Sequence, residues 1–552
     1  MDYSPTADRR PWDALPAWER YVPYMLVLLV GLLQAAWLIA HGLPCITSDH
    51  AVYHSPAVEW ITRGKLAIPC FRGLFPQTEE AFGCYPPLFQ FLVGGWYALF
   101  GFSLRSSLAF SFTVHLLSAL VLLALADRYL CHCYHHSHQW NGSQHEPSGL
   151  QGPWRVRRRV LLLALGLIHL ANLSNFDRQE ETALLFLWLE LLLVAGYPGA
   201  VCSPKINSTG LGCLLSGLCI AAAGMISPWV GLLGACAYAL RELFVEWFAP
   251  AGGLPVPSGV GHLLLRLGRW LGRGLLAGVT AFVPVAFWVW YLESHYPGIL
   301  NDQFFGTLRY LAEHRPRQPT FLNNLEEFWN SLLLNKAQLP LLLVVLLSYP
   351  RQPRVAHTPA LLALYITGLV GLVFLLVLRP EGYTYLGAVL LLWMPVLVPA
   401  LTQYLVEPSV PARQFYPLLL VLVLFAQVKL IDQVTLPWRW TERERPDVVA
   451  ARLQAIIPPG ELVGTTGRHW AFFQVRNPWL EAAFILDKPV LLEARWMVIR
   501  VGIGLPPCIE AFEQVEEIPS AQHRDNTYAY SLWRRRAGEA GDARPDVGKA
   551  GP

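Results

Sequence analysis

Apolar stretches separated by short polar segments follow one another along the chain as far as about residue 430. Several of them approach or exceed the roughly 18 apolar residues that indicate a membrane helix. The pattern predicts eleven spans, near 22–43, 105–126, 159–175, 181–198, 211–226, 228–243, 274–292, 337–349, 358–378, 385–405 and 414–431. We therefore expect a mostly α-helical, polytopic membrane bundle.

The stretch Leu88–Ser103 is apolar and aromatic, but it does not fit this set of spans. It is short, and Pro86 and Pro87 precede it. A span at this place would also move the arginines between 155 and 159 to the opposite side of the membrane. We predict an interfacial or re-entrant helix instead.

The basic residues test this topology, because cytoplasmic loops are enriched in Lys and Arg. We place the N-terminal arm 1–21 in the cytoplasm and keep the first span as an anchor. The cytoplasmic loops then contain Arg155, Arg157, Arg158, Arg159, Lys205, Arg266, Arg269, Arg273, Arg351, Arg354 and Arg413. The opposite face collects the first external loop 44–104, the turn 175–181, the loop 296–336 and the segment 379–385.

The sequence changes character after the predicted transmembrane domain, 22–436. The remainder, 437–552, is charged, and a predicted helix at 447–457 precedes short β-like runs that begin at Glu461 and Trp496. An odd number of spans places this region outside. We predict a small external α/β domain with a disordered tail.

Composition supports a membrane protein and argues against one class of partner. Hydrophobic residues make up 54% of the 552 positions and charged residues 15%, against about 25% charged residues in soluble proteins. The net charge of +3 provides no strongly basic surface for nucleic acid. Cys45, Cys70 and Cys84 share the first external loop, and two of them could form a disulfide in an oxidising compartment.

Asp49 is the first candidate for chemistry, because it follows the first span in the motif Thr47-Ser48-Asp49-His50. A carboxylate at a membrane surface is costly unless it is hydrated or paired, and such groups are often functional. It can act as a general base toward an attacking hydroxyl or as an ordinary helix cap. Taken alone, the position favours the cap.

Two further polar features have simpler interpretations. Glu190 lies about halfway along the fourth span, and we interpret it as a protonated, hydrogen-bonded structural residue rather than part of a relay. Residues 131–138 contain cysteines and histidines, but their spacing is not that of a defined zinc site. We predict a compositionally biased cytoplasmic loop there.

A longer pattern begins at Asp49. An amphipathic segment reaches a turn at Gly64, and Tyr85-Pro86-Pro87-Leu88 then leads into an aromatic-rich helix ending Leu99-Phe100-Gly101. This order resembles the first external loop of GT-C glycosyltransferases, most closely glycosyltransferase family 39, the aminoarabinose-transferase-like proteins and the protein mannosyltransferases. Arg178-Gln179-Glu180 is similar to the Arg-x-acid motif at the start of the fourth span in that family.

Two positions depart from the family pattern. His50 stands where the family commonly has a second acid, and Met225–Trp229 contains no Lys where relatives often carry one for the lipid phosphate. Arg379 is the natural substitute, since an Arg fork can hold a phosphate bidentately. A snorkelling Arg among interfacial tyrosines is the alternative. Weaker candidates for the same task are Arg309, Arg315 and Arg317.

The resemblance implies an inverting membrane glycosyltransferase that moves a sugar from a polyprenyl phosphate to a hydroxyl acceptor on the non-cytoplasmic face. Asp49 would be the catalytic base, and Arg379 and Arg178 would hold the donor phosphate with Tyr383 and Tyr385. The residues expected to support the site or contact the acceptor are Glu180, His50, Tyr53 and Tyr85.

The resemblance also bears on cofactors, partners and location. We expect no nucleotide sugar and no cofactor, and we predict no metal because the chain has no Asp-x-Asp motif. The expected partners are membrane lipids, a polyprenyl-phosphate sugar and a glycan, lipid or protein acceptor. The expected location is a bacterial plasma (inner) membrane, with the active site on the periplasmic side. The alternatives are a lipid or solute transporter, with functional polar groups such as Glu190 near the midplane, and a non-catalytic protein of the same architecture.

Overall fold

The computed structural model describes residues 17–44, 48–140, 151–173, 179–193, 210–248, 260–313, 338–348, 359–378, 382–406, 412–466, 469–483, 488–501, 505–518 and 528–536, with a few short pieces between these ranges. Helices make up most of the described chain. They are α1 (Ala17–Ala40), α2 (Ser48–Arg63), α3 (Leu88–Phe100), α4 (Leu104–Trp140), α5 (Gln151–Ala171), α6 (Gln179–Leu193), α7 (Gly210–Ile226), α8 (Pro228–Phe248), α9 (Val260–His295), α10 (Phe305–Glu313), α11 (Gln338–Ser348), α12 (Pro359–Leu378), α13 (Gly382–Val406), α14 (Ala412–Thr435), α15 (Pro446–Ile456) and α16 (Trp470–Phe473).

Several described helices have the length and composition of membrane spans. Within the described residues, five segments are long and apolar enough to cross a membrane: Trp18–Ala40, Leu104–Leu130, Pro228–Trp247, Val260–His295 and Leu419–Arg439. Shorter apolar helices lie at Leu88–Phe100, Gly210–Ile226, Pro359–Leu375 and Gly387–Pro399. The predicted polytopic helical bundle is confirmed as a fold class, and the number of spans stays a prediction.

Helix α9 corrects one predicted loop. It begins at Val260, well before the predicted span 274–292, so the basic residues assigned to a cytoplasmic loop lie on helix turns. Arg273 pairs with Glu242 at 3.0 Å and with Glu246 at 2.5 Å, both on α8. These ion pairs let the helix continue through a basic segment that the sequence pattern placed in water.

Helices α4 and α5 correct two more predicted loops. Helix α5 begins at Gln151, and its Arg158 holds Asp127 of α4 through two hydrogen bonds of 2.7 and 2.8 Å. The backbone of residues 131–138 continues α4 as far as Trp140 and is not a loop.

Helix α13 runs through the centre of the bundle. Its residues from Ala388 to Val398 are buried, and it packs against α4, α6, α11 and α12. The indole of Trp393 lies against Gly368 of α12, where a Cβ would come within 1.9 Å of Nε1. The same Nε1 donates to the carbonyl of Leu364 at 3.2 Å. This close contact fixes the middle of α13 against α12.

The C-terminal region forms a small mixed sheet beside short helices. Its strands are β1 (Val463–Thr465), β2 (Trp479–Glu481), β3 (Trp496–Arg500), β4 (Phe512–Ile518) and β5 (Tyr530–Arg535), in the order β2-β1-β3-β5-β4. β1 pairs in parallel with β2 and β3, whereas β5 pairs antiparallel with β3 and β4. This sheet confirms the predicted α/β character of the tail.

The sheet packs on one end of the bundle, together with α2 and α3. We call this end the α2 face. Tyr528 donates to the carbonyl of Gly42, just after α1, at 2.9 Å. Gln303, before α10, accepts from the backbone N–H of Gly83 at 2.6 Å, and the side chain of Arg72 pairs with Glu493 at 2.6 Å. The described parts of loops 44–104 and 296–336 and the C-terminal sheet therefore gather on the same face.

Helix α3 has 13 residues, so it extends about 20 Å. That length is shorter than the roughly 30 Å hydrocarbon core and agrees with an interfacial helix. Helix α2 differs from expectation. We expected α2 to lie on the bilayer with one face exposed. In the structure every residue from Ala51 to Glu59 is buried, because α3 covers one side of the helix and the C-terminal region covers another.

The midspan acid Glu190 is hydrogen-bonded within the bundle, as its interpretation as a structural residue expected, and it also has a charged partner. Arg241 of α8 contacts its Oε1 at 2.5 Å, and the hydroxyl of Ser216 donates to the same oxygen at 2.6 Å. Arg241 also binds Glu242 at 3.1 Å. A buried charge that keeps its partner avoids the large penalty of an unpaired ion.

The packing of α2 on α3 gives a test with a built-in control. A Cβ on Gly94 would lie 2.5 Å from Cε3 of Trp60, whereas a Cβ on the neighbouring Gly95 would meet nothing within 4 Å. We expect Gly94→Ala to lower the free energy of unfolding by about 1–3 kcal/mol, because the indole must move. Gly95→Ala should be neutral or slightly stabilising. Thermal unfolding in detergent measures both, and equal melting temperatures would contradict this packing.

Candidate functional site

Asp49 lies in the first turn of α2, on the α2 face of the bundle, and its side chain is partly exposed. The N-terminus of a helix carries partial positive charge, which favours a carboxylate there. The helix is buried from His50 to Glu59, so the position of this carboxylate is set by the packing of the helix. A partly exposed anion on a fixed element is suited to accept a proton from an incoming hydroxyl.

A buried hydrogen-bonded chain lies directly behind Asp49. His54 Nδ1 is 2.6 Å from the hydroxyl of Tyr97, which donates to Ser107 at 2.7 Å. The hydroxyl of Ser107 in turn lies 3.1 Å from Nε2 of His50. The consistent assignment has each group donate to the next, from His54 through Tyr97 and Ser107 to His50, and it ties α2 to α3 and α4.

The two histidines of this chain stack on each other, with ring centroids 3.8 Å apart. Burial lowers the pKa of His50 to about 3 and holds the pKa of His54 well below its ordinary value, an effect that the neighbouring His50 increases. Both rings are therefore neutral at physiological pH. His50, which stands where the resembled family commonly has a second acid, is a neutral group in the packing beneath Asp49.

The C-terminal region covers the other side of α2. The ring of Trp470 lies 5.7 Å from that of His50, and Gln474 donates to the carboxylate of Glu59 at 3.2 Å. Arg63 pairs with the same carboxylate at 3.0 Å. Because Trp470 and Gln474 lie about 400 positions away in the chain, the placement of Asp49 depends on the C-terminal region.

Tyr53 and Tyr85 form an aromatic group on the α3 side of α2. The Tyr53 ring is 5.5 Å from Tyr85 and 6.1 Å from Phe89. Tyr53 is buried, so it supports the helix, whereas Tyr85 is partly exposed at the turn before α3. Cys70 and Cys84 of the same loop are free, buried thiols, so the disulfide considered for this loop does not join them. Cys45 lies outside the described residues.

A polar stripe on α4 leads from this region into the bundle. Ser107, Ser111, His115 and Ser118 recur at helical spacing and are all buried, and Ser107 and His115 are about 12 Å apart along the axis. His115 reaches Glu181 in the first turn of α6, and the adjacent Glu180 is also buried. The two acids were predicted in an external turn and instead lie inside the protein.

Only some of the predicted phosphate-binding residues belong to the described part of the chain. Arg178, Arg379, Arg315 and Arg317 lie outside the described residues. For Tyr383 and Tyr385 the structure describes the backbone, which forms the first turn of α13. Arg309 is described, and its guanidinium donates to the carbonyl of Asn301 at 2.8 Å.

The turn that lacks the expected Lys is tightly packed. A Cβ on Gly231 of α8 would lie 2.4 Å from Cα of Gly224 of α7, so the two helices approach closely. The ring of Trp229 lies 4.6 Å from Phe374 of α12. Helix α12 ends at Leu378, one residue before Arg379, so the turn packs beside the helix end that leads into this arginine.

Comparison with solved structures found a match over nearly the whole chain. The aminoarabinose transferase ArnT from Cupriavidus metallidurans, bound to undecaprenyl phosphate, aligns with a TM-score of 0.50 at 14% identity. The alignment covers 95% of this chain and 99% of that one. The chain has the fold of this transferase structure. The shared fold agrees with the resemblance inferred from the motifs and confirms the predicted class of a helical membrane bundle with a small C-terminal sheet.

Two further solved structures align more weakly. Two structures of an oligosaccharyltransferase from Archaeoglobus fulgidus, one with zinc and sulfate and one tethered to an acceptor peptide, align at 13% and 12% identity with TM-scores of 0.43 and 0.41. They cover 86% and 88% of this chain and 68% and 70% of those chains. No family model matches the chain, and no curated protein matches it.

Sequence reasoning missed several buried polar groups of the bundle. Tyr97, Ser107, His115 and His169 lie in predicted apolar helices, and each is buried. The sequence hints at their polar role only because they share a helical face with other small or polar residues, as in the stripe on α4. The residues they contact lie on other helices, so the spacing along one segment cannot reveal these partners.

The neutral histidines behind Asp49 predict a pH dependence of stability. The pKa of His50 falls from about 6.5 when unfolded to about 3 when folded, so the unfolded chain binds more protons between these values. The stabilisation is complete above pH 6.5 and decreases as the pH falls below it. Below pH 6.5 the free energy of unfolding should fall by roughly 1.4 kcal/mol per pH unit for each buried histidine. Acidification from pH 7.5 to 5 should therefore lower the melting temperature.

His50→Gln provides the comparison for that measurement. Glutamine keeps a hydrogen-bonding group toward Ser107 and removes the titrating ring, so the variant should melt with a shallower pH dependence than wild type. Melting curves in detergent at a series of pH values give both slopes. Identical slopes would show that His50 is not held neutral in the fold.

Proposed function

We propose that this chain is a membrane glycosyltransferase that moves a sugar from a polyprenyl-phosphate donor to a hydroxyl acceptor on the non-cytoplasmic face. The observation that carries the proposal is the alignment with ArnT, which covers 95% of this chain and 99% of that structure, bound to undecaprenyl phosphate. The candidate base Asp49 begins a helix that packs between the bundle and the C-terminal region. The α2 face would be the periplasmic side of a bacterial plasma membrane.

Asp49 would act as the general base. It would take the proton of the acceptor hydroxyl as that oxygen attacks the anomeric carbon. The bond from the anomeric carbon to the phosphate oxygen would break, and the polyprenyl phosphate would leave with the electron pair. Attack from the opposite side inverts the anomeric carbon. The buried neutral chain behind Asp49 would keep its carboxylate directed toward solvent.

Arg379 would stabilise the charge that grows on the leaving phosphate. The turn between α7 and α8 has no Lys, and its Trp229 packs on Phe374, near the end of α12 that leads to Arg379. Tyr383 and Tyr385 follow in the first turn of α13 and could donate further hydrogen bonds. Arg178 would add a second guanidinium, and Glu180, one residue into α6, would orient it.

The transporter alternative predicts a functional acid near the midplane. Glu190 is the main candidate, but its Oε1 already contacts Arg241 at 2.5 Å and Ser216 at 2.6 Å. These contacts give the acid a structural role that links α6, α7 and α8. They favour an enzyme whose chemistry lies on the α2 face, and the non-catalytic alternative is decided by the transfer assay below.

The transfer assay tests the catalytic base. Purified wild-type protein is incubated with radiolabelled polyprenyl-phosphate sugars and membrane acceptors, beside Asp49→Asn and Glu80→Gln. We expect Asp49→Asn to lower kcat by about 10²–10⁴-fold, because the isosteric amide cannot accept the proton. Glu80→Gln removes an exposed carboxylate of the same loop and should transfer at the wild-type rate. Equal rates for Asp49→Asn and wild type, or no transfer with any donor, would refute the assignment.

A second pair of variants tests the phosphate contact. Arg379→Ala should raise the KM for the lipid donor by roughly 10- to 100-fold, the value of a charge-assisted hydrogen bond. Arg439→Ala is the matched control, because this exposed arginine pairs with Asp432 at 2.9 Å near the end of α14. Initial rates over a range of donor concentrations separate KM from kcat. A donor KM that is unaltered in Arg379→Ala would move the phosphate site elsewhere.

A further inference from the structure

A group of three ligand-type side chains lies beneath the α2 face and has no part in the proposed transfer reaction. His115 of α4, His169 of α5 and Glu181 of α6 are all buried. One ligand atom from each lies within 4.8 Å of the others. They come from three different helices, at the level where α5 ends and α6 begins.

Three ligand-type atoms meet within reach of one metal ion. His115 Nδ1 lies 2.6 Å and His169 Nε2 lies 3.4 Å from the same atom, Oε1 of Glu181. Ligand atoms about 2.0–2.1 Å from a tetrahedral zinc ion are themselves about 3.4 Å apart, so His169 and Glu181 already have that spacing, whereas His115 and Glu181 are at hydrogen-bond distance and would separate by about 0.8 Å on binding. Nε2 of His169 makes no hydrogen bond within the described part of the chain. It therefore faces the carboxylate without a hydrogen bond to hold it there.

The ring of His115 is oriented as a metal ligand would be. Its Nε2 lies 3.3 Å from the carbonyl of Leu170, which can only accept a hydrogen bond, so this nitrogen carries the proton. Nδ1 faces the carboxylate oxygen of Glu181 at 2.6 Å, where either a proton or a metal ion between the two atoms satisfies both. A second-shell bond from the far nitrogen to a carbonyl is common for metal-bound histidine.

We propose that His115, His169 and Glu181 bind a zinc ion that ties α4, α5 and α6 together beneath the α2 face. Two imidazoles and one carboxylate form a ligand set that zinc accepts, with one position left open. The ring centroids of the histidines are 4.6 Å apart, so both rings reach the carboxylate from the same side. The ion would offset the charge of the buried carboxylates of Glu180 and Glu181 and fix the first turn of α6.

This inference is independent of the proposed transfer reaction, because it concerns metal binding and not activity. It differs from the sequence prediction, which expected no metal because the chain has no Asp-x-Asp motif. His115 and His169 are separated from each other by more than fifty residues, so no short motif could reveal the site.

The test measures metal in the purified, full-length protein. Wild type, His169→Gln, Glu181→Gln and the control His295→Ala, an exposed histidine at the end of α9, are incubated with zinc chloride and desalted. Elemental analysis should find about one zinc per chain in wild type and in the control, as a single three-ligand site requires. Both ligand variants should bind at least tenfold more weakly. Zinc should also raise the melting temperature of wild type but not of Glu181→Gln.

X-ray absorption at the zinc edge tests the ligands in wild type alone, whether or not the variants fold. The spectrum should show two imidazole ligands and an oxygen shell near 2.0–2.2 Å. A wild-type protein that remains free of zinc overturns the proposal. Zinc content that is unaltered in folded His169→Gln and Glu181→Gln, or a spectrum without two imidazoles, overturns it equally.

Discussion

The burial of α2 on two sides is the constraint on which the candidate site depends. Gly94 allows Trp60 to pack closely on α3, while Trp470 and Gln474 of the C-terminal region contact His50 and Glu59. A juxtamembrane helix held only by lipid would be free to rotate and slide. Here its first turn is fixed by protein on both sides, and a functional group on a rigid element keeps its geometry.

Among the described residues, the polar groups at the α2 face and those deeper in the bundle differ in their partners, and this difference separates chemistry from structure. At the α2 face, α1, α5 and α12 end while α4, α6 and α13 begin, so short polar connections converge there. Deeper in the bundle, Glu190 and Arg241 neutralise each other at 2.5 Å. Buried charges that are fully paired add little reactivity, whereas Asp49 is partly exposed.

The apolar periodicity of the sequence predicted where most helices lie, but it did not predict which residues contact each other between helices. The predicted spans 211–226 and 358–378 agree closely with α7 and α12. The start of α9 was missed because ion pairs with α8 sustain a basic helical segment. The partner of Glu190, the burial of α2 and the convergence of His115 with Glu181 were missed for one reason: each depends on contacts between distant segments, which no local pattern encodes.

The central claim is that the α2 face binds the phosphate of a polyprenyl donor beside Asp49. A cryo-EM structure of the full chain with a polyprenyl-phosphate sugar tests it most directly. We predict that the phosphate lies between the first turn of α2 and the end of α12, with the lipid tail running down the bundle. Phosphate density deep in the bundle, beside Arg241, or a donor that leaves the α2 face unoccupied would contradict the claim.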